Sequence, residues 1–258
     1  MRWWLLLGAL CGCDAVFGLD GTDLPECELA SFRDAQPVTV VENTELFSWD
    51  RLRDHLVIAA AGTAFELDAD SPTERTEIAL EPNYPMTTVS LAPEGDQIFF
   101  TASIEPSQLF SARRDDGGLW HFDRNVPDAG GAGTPTLALL GPRRILVRVS
   151  FYANDVQEYE EQDDGTWKPV GDRHVVDAVT VVNLSSDGLT MVYDGFDAEG
   201  QRGVFAAQRP SRGEWFRDTT LILAGTHPSP QLADSCDVLH AIDEGDAITP
   251  RHLVRYQR

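Results

Sequence analysis

Apolar residues in this chain come in short clusters, and the clusters recur. Leu91-Ala-Pro-Glu-Gly-Asp-Gln-Ile-Phe-Phe100 aligns without a gap on Leu184-Ser-Ser-Asp-Gly-Leu-Thr-Met-Val-Tyr193. Leu232-Ala-Asp-Ser-Cys-Asp-Val-Leu-His-Ala241 follows the same pattern, with Cys236 at the glycine position. Weaker copies start at Leu140 (LGPRRILVRV) and near Trp49 (WDRLRDHLVIA). The starts at 49, 91, 140, 184 and 232 are 42, 49, 44 and 48 residues apart. Two further marks keep that period. Gly-x-Trp occurs at Trp120, Trp167 and Trp215, and the run Leu109-Phe-Ser-Ala-Arg-Arg114 returns as Val204-Phe-Ala-Ala-Gln-Arg209 and Leu253-Val-Arg-Tyr-Gln-Arg258.

Each unit predicts four short strands. An apolar stretch leads to a polar turn of the Ser/Pro-Asp/Glu-Gly type, where glycine permits positive φ. A run rich in β-formers follows, such as Gln-Ile-Phe-Phe-Thr-Ala-Ser from Gln97. A loop, the Leu-Phe-Ser-Ala-Arg run, a second glycine turn and the Trp-led segment complete the unit. About 45 residues and four strands is the size of one propeller blade. No stretch of about 12 residues carries helical periodicity. The expected fold is all-β: a single β-propeller over residues 30–258 with five four-stranded blades, an irregular sixth being the alternative.

The Leu-Ser-x-Asp-Gly-x-x-x-hydrophobic-aromatic segments resemble the TolB-type, WD40-like propeller repeat, whose hallmark is Ser-Pro-Asp-Gly ahead of a β-strand. The copies at 91 and 184 match well, the one at 232 fairly, and those at 49 and 140 are degenerate. The resemblance implies protein–protein interaction at a cell envelope. It concerns the repeat and assigns no interface residue.

The last unit stops at Arg258, which aligns with Arg114 and Arg209 at the end of a third strand. Its fourth strand is missing from the C-terminus. Phe32-Arg-Asp-Ala-Gln-Pro-Val-Thr-Val-Val41 resembles a Trp-led fourth segment, so it is expected to pair into the last blade and close the ring, covering an exposed edge. Cys27 lies just before that strand and Cys236 in the first turn of the same blade, which brings both to one end of it. First and fourth strands lie about 14 Å apart, a gap that the residues between Cys27 and Phe32 can cross. A Cys27–Cys236 disulfide would latch the closure by constraining a very long loop; two separate buried thiols are the alternative.

Charge narrows the partners. Acids outnumber bases 42 to 20, a formal charge of -22, which argues against nucleic acid, where affinity comes from neutralising phosphates. Arg accounts for all but one of the bases, which coding bias explains better than a ligand, since acids surround the Arg residues.

The N-terminus reads as an address. In MRWWLLLGALCGC, Arg2 supplies a positive start and Trp3 to Leu10 an apolar stretch too short to span a bilayer. Leu10-Cys11-Gly12-Cys13 resembles the bacterial lipobox, departing from it only in the Cys at −2. That resemblance implies a signal peptide over residues 1–12, cleavage before Cys13 and a diacylglycerol thioether on its sulfur. Residues 13–29 then form a lipid-anchored leader, and export to an oxidising space permits the disulfide. An unlipidated secretory signal is the alternative.

Candidate chemistry is sparse. No Gly-x-Ser-x-Gly elbow accompanies the six histidines at 55, 121, 174, 227, 240 and 252. No His-Glu-x-x-His run or cysteine pair marks a zinc site. The glycine cluster 128–133 lacks the Lys-Ser/Thr of a phosphate loop. Asp194-Gly-Phe-Asp-Ala-Glu-Gly200 gathers three acids beside two glycines, a composition hard cations favour, without the spacing of a calcium loop. Glycosidases present paired carboxylates, yet the expected inner strands around Phe47–Trp49, Thr88–Leu91, Leu137–Leu140, Val181–Leu184 and Pro230–Leu232 contain none; Glu45 and Asp177 only flank them. The repeated tryptophans are expected to pack between blades.

No catalytic, cofactor-binding or metal-ligating residue is therefore assigned, and no cofactor. The expected protein is a non-catalytic lipoprotein of the bacterial cell envelope, its propeller in the periplasm or at the surface, binding an envelope protein or glycan. The alternative is a glycan hydrolase or lyase working in the central channel. Mass analysis of membrane-extracted protein is expected to find a lipid-modified N-terminus at Cys13; an unmodified chain starting elsewhere removes the anchor.

Overall fold

The structure is a computed structural model that describes residues 29–40, 44–50, 55–60, 62–68, 74–80, 85–92, 96–102, 108–125, 136–138, 144–148, 155–176, 178–185, 187–233, 236–244 and 251–258. Cys13, Cys27, the glycine cluster 128–133 and Asp177 lie outside them. The described residues form twenty strands and no helix. One strand, β1 (Asp34–Val40), precedes the repeats.

With it the strands form five antiparallel sheets of four, the first four sheets each one repeat of the sequence. The first blade runs β2 (Thr44–Asp50), β3 (His55–Ala60), β4 (Thr63–Asp68), β5 (Arg75–Glu77). The second runs β6 (Met86–Leu91), β7 (Gln97–Ala102), β8 (Gln108–Arg114), β9 (Trp120–Asn125). The third holds β10 (Thr136–Ala138), β11 (Arg144–Arg148), β12 (Asp155–Glu161), β13 (Trp167–Val175). The fourth holds β14 (Ala178–Leu184), β15 (Thr190–Phe196), β16 (Arg202–Gln208), β17 (Arg217–Ala224). The fifth supplies β18 (Gln231–Leu232), β19 (Val238–Asp243) and β20 (His252–Gln257), and β1 completes it in the order β1-β20-β19-β18. The first strand of each repeat lies innermost, against its counterparts in neighbouring blades. The ring is a five-bladed propeller.

The turns explain the repeated Asp-Gly. Ser185 N–H donates to Thr190 O and Gly188 N–H to Ser185 O, both at 2.8 Å, with Gly188 at φ 69. The turn in the fifth blade makes the same two bonds, Ala233 to Val238 and Cys236 to Ala233, each 2.9 Å. Cys236 therefore takes the glycine's place in conformation as well as in sequence, at φ 58, a region glycine occupies at lower cost.

Closure is double. β1 pairs antiparallel along β20 from Asp34↔Gln257 to Val40↔His252, with Pro37 next to a bulge on the exposed edge, where a missing N–H breaks no ladder bond to a further strand. Just ahead of it, Phe32 N–H donates to Ile222 O of the fourth blade at 2.9 Å and its ring is buried. Gln257 also pairs with Val238, so the start of β1 and the Cys236 turn lie at one end of the blade. Phe32, Leu29 and Cys236 share one apolar cluster.

Inner strands β2, β6 and β14 start earlier than expected, and at β2 this brings carboxylates into the strand. β2 extends from Thr44 to Asp50, so Glu45 stands within it, at a register shift, and Asp50 ends it. The expected strand was shorter because a carboxylate beside Thr44 reads as loop by propensity, whereas pairing with β3 carries the strand through it.

His240, on β19 opposite Arg255, is buried. Burial first, and the Arg255 charge second, push its imidazole down to about 4 from 6.5. The folded protein thus resists a proton that the unfolded chain accepts. Its contribution is complete above pH 6.5 and is lost as pH falls toward 4, by about 3 kcal/mol in all. Urea unfolding across that window is expected to show a shallower acid loss of stability in His240→Gln than in the parent chain; equal slopes would contradict the assignment.

Candidate functional site

Charged groups are buried together at one place, the outer side of the junction between the third and fourth blades. The outer strand β13 builds one wall. Val156 pairs with His174 while Glu158 pairs with Val170, so two steps on β12 face four on β13 and the strand bulges. Gly171 takes φ 67 in the bulge. Buried Gln157 donates its Nε2 to Val170 O at 3.0 Å and Glu158 O at 3.1 Å, so the disrupted ladder leaves these carbonyls bonded. The turn between β16 and β17, residues 209–216, builds the other wall.

Between them lies a cleft of about 120 Å³. Its floor is Glu158, 6% exposed, and Arg209, 4% exposed. Glu158 Oε1 is 2.7 Å from Arg209 Nη1, a contact of charge and proximity rather than of hydrogen-bond alignment. Arg209 also donates Nε to Gly188 O at 2.7 Å, and its guanidinium lies 4.4 Å from the centre of the Phe216 ring. Arg144 donates Nε to Glu160 at 2.8 Å and Nη1 to Arg212 O at 2.8 Å. Arg212 reaches back through Nε to Asp187 O at 2.8 Å. Above the floor, His174 and Trp215 stack nearly parallel, ring centres 3.7 Å apart, while exposed Asp172 and Glu214 form the rim.

The electrostatics follow from crowding. Burial pulls the Arg209 guanidinium below its ordinary range, against the attraction of Glu158. Burial likewise lowers Arg212, and the charges of Arg144 and Arg209 lower it further, outweighing the pull of Asp187 and Glu158.

Part of this arrangement is a repeated clasp. Arg114, ending the third strand of the second blade, pairs with Glu66 of the first at 3.2 Å and lies over Trp120 at 5.6 Å. Arg209 repeats this with Glu158 and Phe216. Arg258 lies 5.6 Å over Phe32, the residue standing where the missing fourth strand's aromatic belongs. Arg144, Arg212 and the His174–Trp215 stack are additions to the clasp at this junction.

The tryptophans pack as expected. Trp167 meets Phe99 of the preceding blade edge-on at 5.6 Å, Trp120 is buried in the cluster shared with the first blade, and Trp215 stacks on His174 of the third. The acidic segment after Asp194 does not converge. Asp194 is wholly buried and held two-pronged by Arg202, at 3.2 and 2.7 Å, while Asp197 closes the hairpin by accepting from Gln201 N–H. Among the described residues, no three His, Cys, Asp or Glu side chains stand where they could hold a metal ion. Of the other described histidines, His121 bonds exposed Asp115 and His227 bonds Tyr256. In the sequence the cleft leaves one trace, the Arg209–Arg212 spacing beside Trp215, within a general preference for arginine over lysine.

No protein-family model matches the chain, and no curated protein does. Solved structures do. A TolB of Agrobacterium tumefaciens superposes with a TM-score of 0.53 at 13% identity, over 81% of this chain and 72% of that one. TolB of Acinetobacter baumannii gives 0.54 at 11% identity, over 84% of this chain and 55% of that one. A gluconolactonase of Xanthomonas campestris gives 0.50 at 12% identity, over 90% and 95%. The chain spans about half the length of the Acinetobacter protein. The shared property is the propeller.

The Arg209–Glu158 pair sets a stability prediction. Glu158→Gln is expected to cost about 3 kcal/mol or more in denaturant unfolding, because it strands a buried cation, whereas the double change Glu158→Leu with Arg209→Met should recover most of that loss. A single variant as stable as the parent would show that the pair is not coupled.

Proposed function

We propose that this chain is a non-catalytic platform of the bacterial cell envelope, anchored by lipid on Cys13, whose propeller binds an envelope protein in preference to a glycan. One observation carries the reading. The inner strands β6, β10, β14 and β18 read MTTVSL, TLA, AVTVVNL and QL, without a single titratable residue. Acid–base chemistry in the channel needs such groups, and binding does not. The latch belongs to the same reading. Cys236 packs with Phe32 and Leu29, and Cys27 stands two residues before Leu29, which makes Cys27 its proposed disulfide partner.

A second reading, glycan hydrolase or lyase, keeps one specific support: Glu45 and Asp50 both stand on inner strand β2. The gluconolactonase likeness extends to fold alone.

In-cell cross-linking of the tagged full-length chain, followed by mass spectrometry, is expected to recover one dominant envelope protein in near-stoichiometric amount. Purified protein should release no saccharide from envelope glycan. Saccharide release that disappears in Glu45→Gln or Asp50→Asn would replace the platform with the enzyme.

A further inference from the structure

We infer that the cleft between the third and fourth blades takes a carboxylate of a partner polypeptide, held by the Arg209–Arg212–Arg144 cluster beside the Trp215 wall. The inference rests on the platform reading and names the chemistry that one of its surfaces recognises.

The first support is an unfilled donor. Arg209 Nη2 is buried and has no hydrogen-bond partner, although the rest of the guanidinium is engaged with Glu158, Gly188 O and the Phe216 ring. A buried guanidinium N–H left unbonded costs free energy, which an acceptor in the cleft recovers where a shift of the lining brings the two together. The second is the company it keeps. Three guanidiniums line one small cleft in a chain of formal charge -22, and burial already weakens two of them. An anion entering there relieves their mutual repulsion in a poorly screened place.

The chemistry of the walls selects the anion. A carboxylate can accept single N–H bonds from neighbouring guanidiniums whose other nitrogens are engaged with Gly188 O, Glu158, Glu160 and Asp187 O, and it brings one negative charge. A phosphate brings closer to two, and Glu158, Asp172 and Glu214 line the same cleft and oppose it. A cleft of about 120 Å³ has room for a carboxylate on a short stem. The flat His174–Trp215 stack offers an apolar surface to that stem. A chain-terminal carboxylate and an acidic side chain share this chemistry.

The departure from the repeat agrees. At the junction of the first and second blades the clasp is Arg114 with Glu66 and Trp120. The junction of the third and fourth blades adds Arg144, Arg212 and the β13 bulge around that core. Arg144 ties the two blades further, through Arg212 O at 2.8 Å, and has Glu160 as its own carboxylate; Arg212 bonds through Nε within its own blade, to Asp187 O, and is the cation that the clasp does not use.

The test follows the Trp215 indole by NMR in the full-length protein, assigned with Trp215→Phe. Four probes are titrated: N-acetyl-trialanine, its C-terminal amide, the amidated peptide N-acetyl-Ala-Glu-Ala, and glucuronate. The free-acid peptide, or the glutamyl peptide if the side chain is the source, is expected to shift the indole saturably, with the trialanine amide at least tenfold weaker. Arg212→Gln should weaken binding at least tenfold while unfolding at nearly the parent temperature, and Arg251→Gln, at an exposed pair with Glu244, should change nothing. Equal response to acid and amide, no response to any peptide, preference for glucuronate, or indifference to Arg212→Gln would each overturn the inference. A cross-linked partner recovered with all its contacts elsewhere on the propeller would leave the platform standing and this cleft unassigned to it.

Discussion

Everything in this fold depends on each blade having two apolar faces and a neighbour on both sides. The buried residues separate into five clusters, one per junction. Successive residues of a central strand serve different junctions: Phe100 packs toward the first blade and Phe99 toward the third, Leu146 toward the fourth and Ile145 toward the second. A strand alternates its side chains between two faces, so one apolar run such as Gln-Ile-Phe-Phe-Thr-Ala stitches three blades together. Removing either phenylalanine would cost about 3–5 kcal/mol by cavity formation alone. No blade can bury both its faces by itself, which is why the ring has to close.

Closure explains the division of labour at the two termini. The C-terminal repeat lacks an outer strand, and β1 supplies it from the start of the chain. Exposure along Asp34–Pro37 is high, so the strand itself buries little. The holding force comes from Phe32, which sits in the cluster between the fourth and fifth blades and under Arg258. A strand exposed over its first half can close the ring because Phe32 just ahead of it is seated in the core and Val38 packs on the cluster between the first and fifth blades.

Much of this was legible because the repeat was. The Asp-Gly turns demand positive φ, the Gly-x-Trp marks the return to the outer strand, and the truncated last copy announces a strand borrowed from the other end. Even the exception was readable: Cys236 at a glycine position does adopt the glycine's conformation. What a linear repeat could not show is pairing across blades. Glu66, Glu158 and Asp194 look like ordinary surface acids in sequence, yet each is committed to an arginine, two of them on the next blade. The strand limits of β2 were hidden for the opposite reason, since Glu45 and Asp50 oppose strand formation locally and only the partner strand overrides them.

Those committed pairs change how the charge of the chain should be read. A formal charge of -22 describes the chain as a whole, but the interior is organised by arginine. At a simple junction one arginine, one glutamate and one aromatic ring balance: the ring and carboxylate offset the desolvation of the cation. The junction of the third and fourth blades holds two more guanidiniums, Arg144 with Glu160 as its own partner at 2.8 Å and Arg212 with the charge of Asp187 beside it. Arg144 serves packing through its bond to Arg212 O on the next blade, but for Arg212, which burial already penalises, a hydrophobic residue of similar size would serve a structural end at least as well. The arrangement makes sense when part of its stabilisation is supplied from outside the fold. That is the physical argument for locating recognition on the flank of the ring, away from the axis whose described strands carry so little charge.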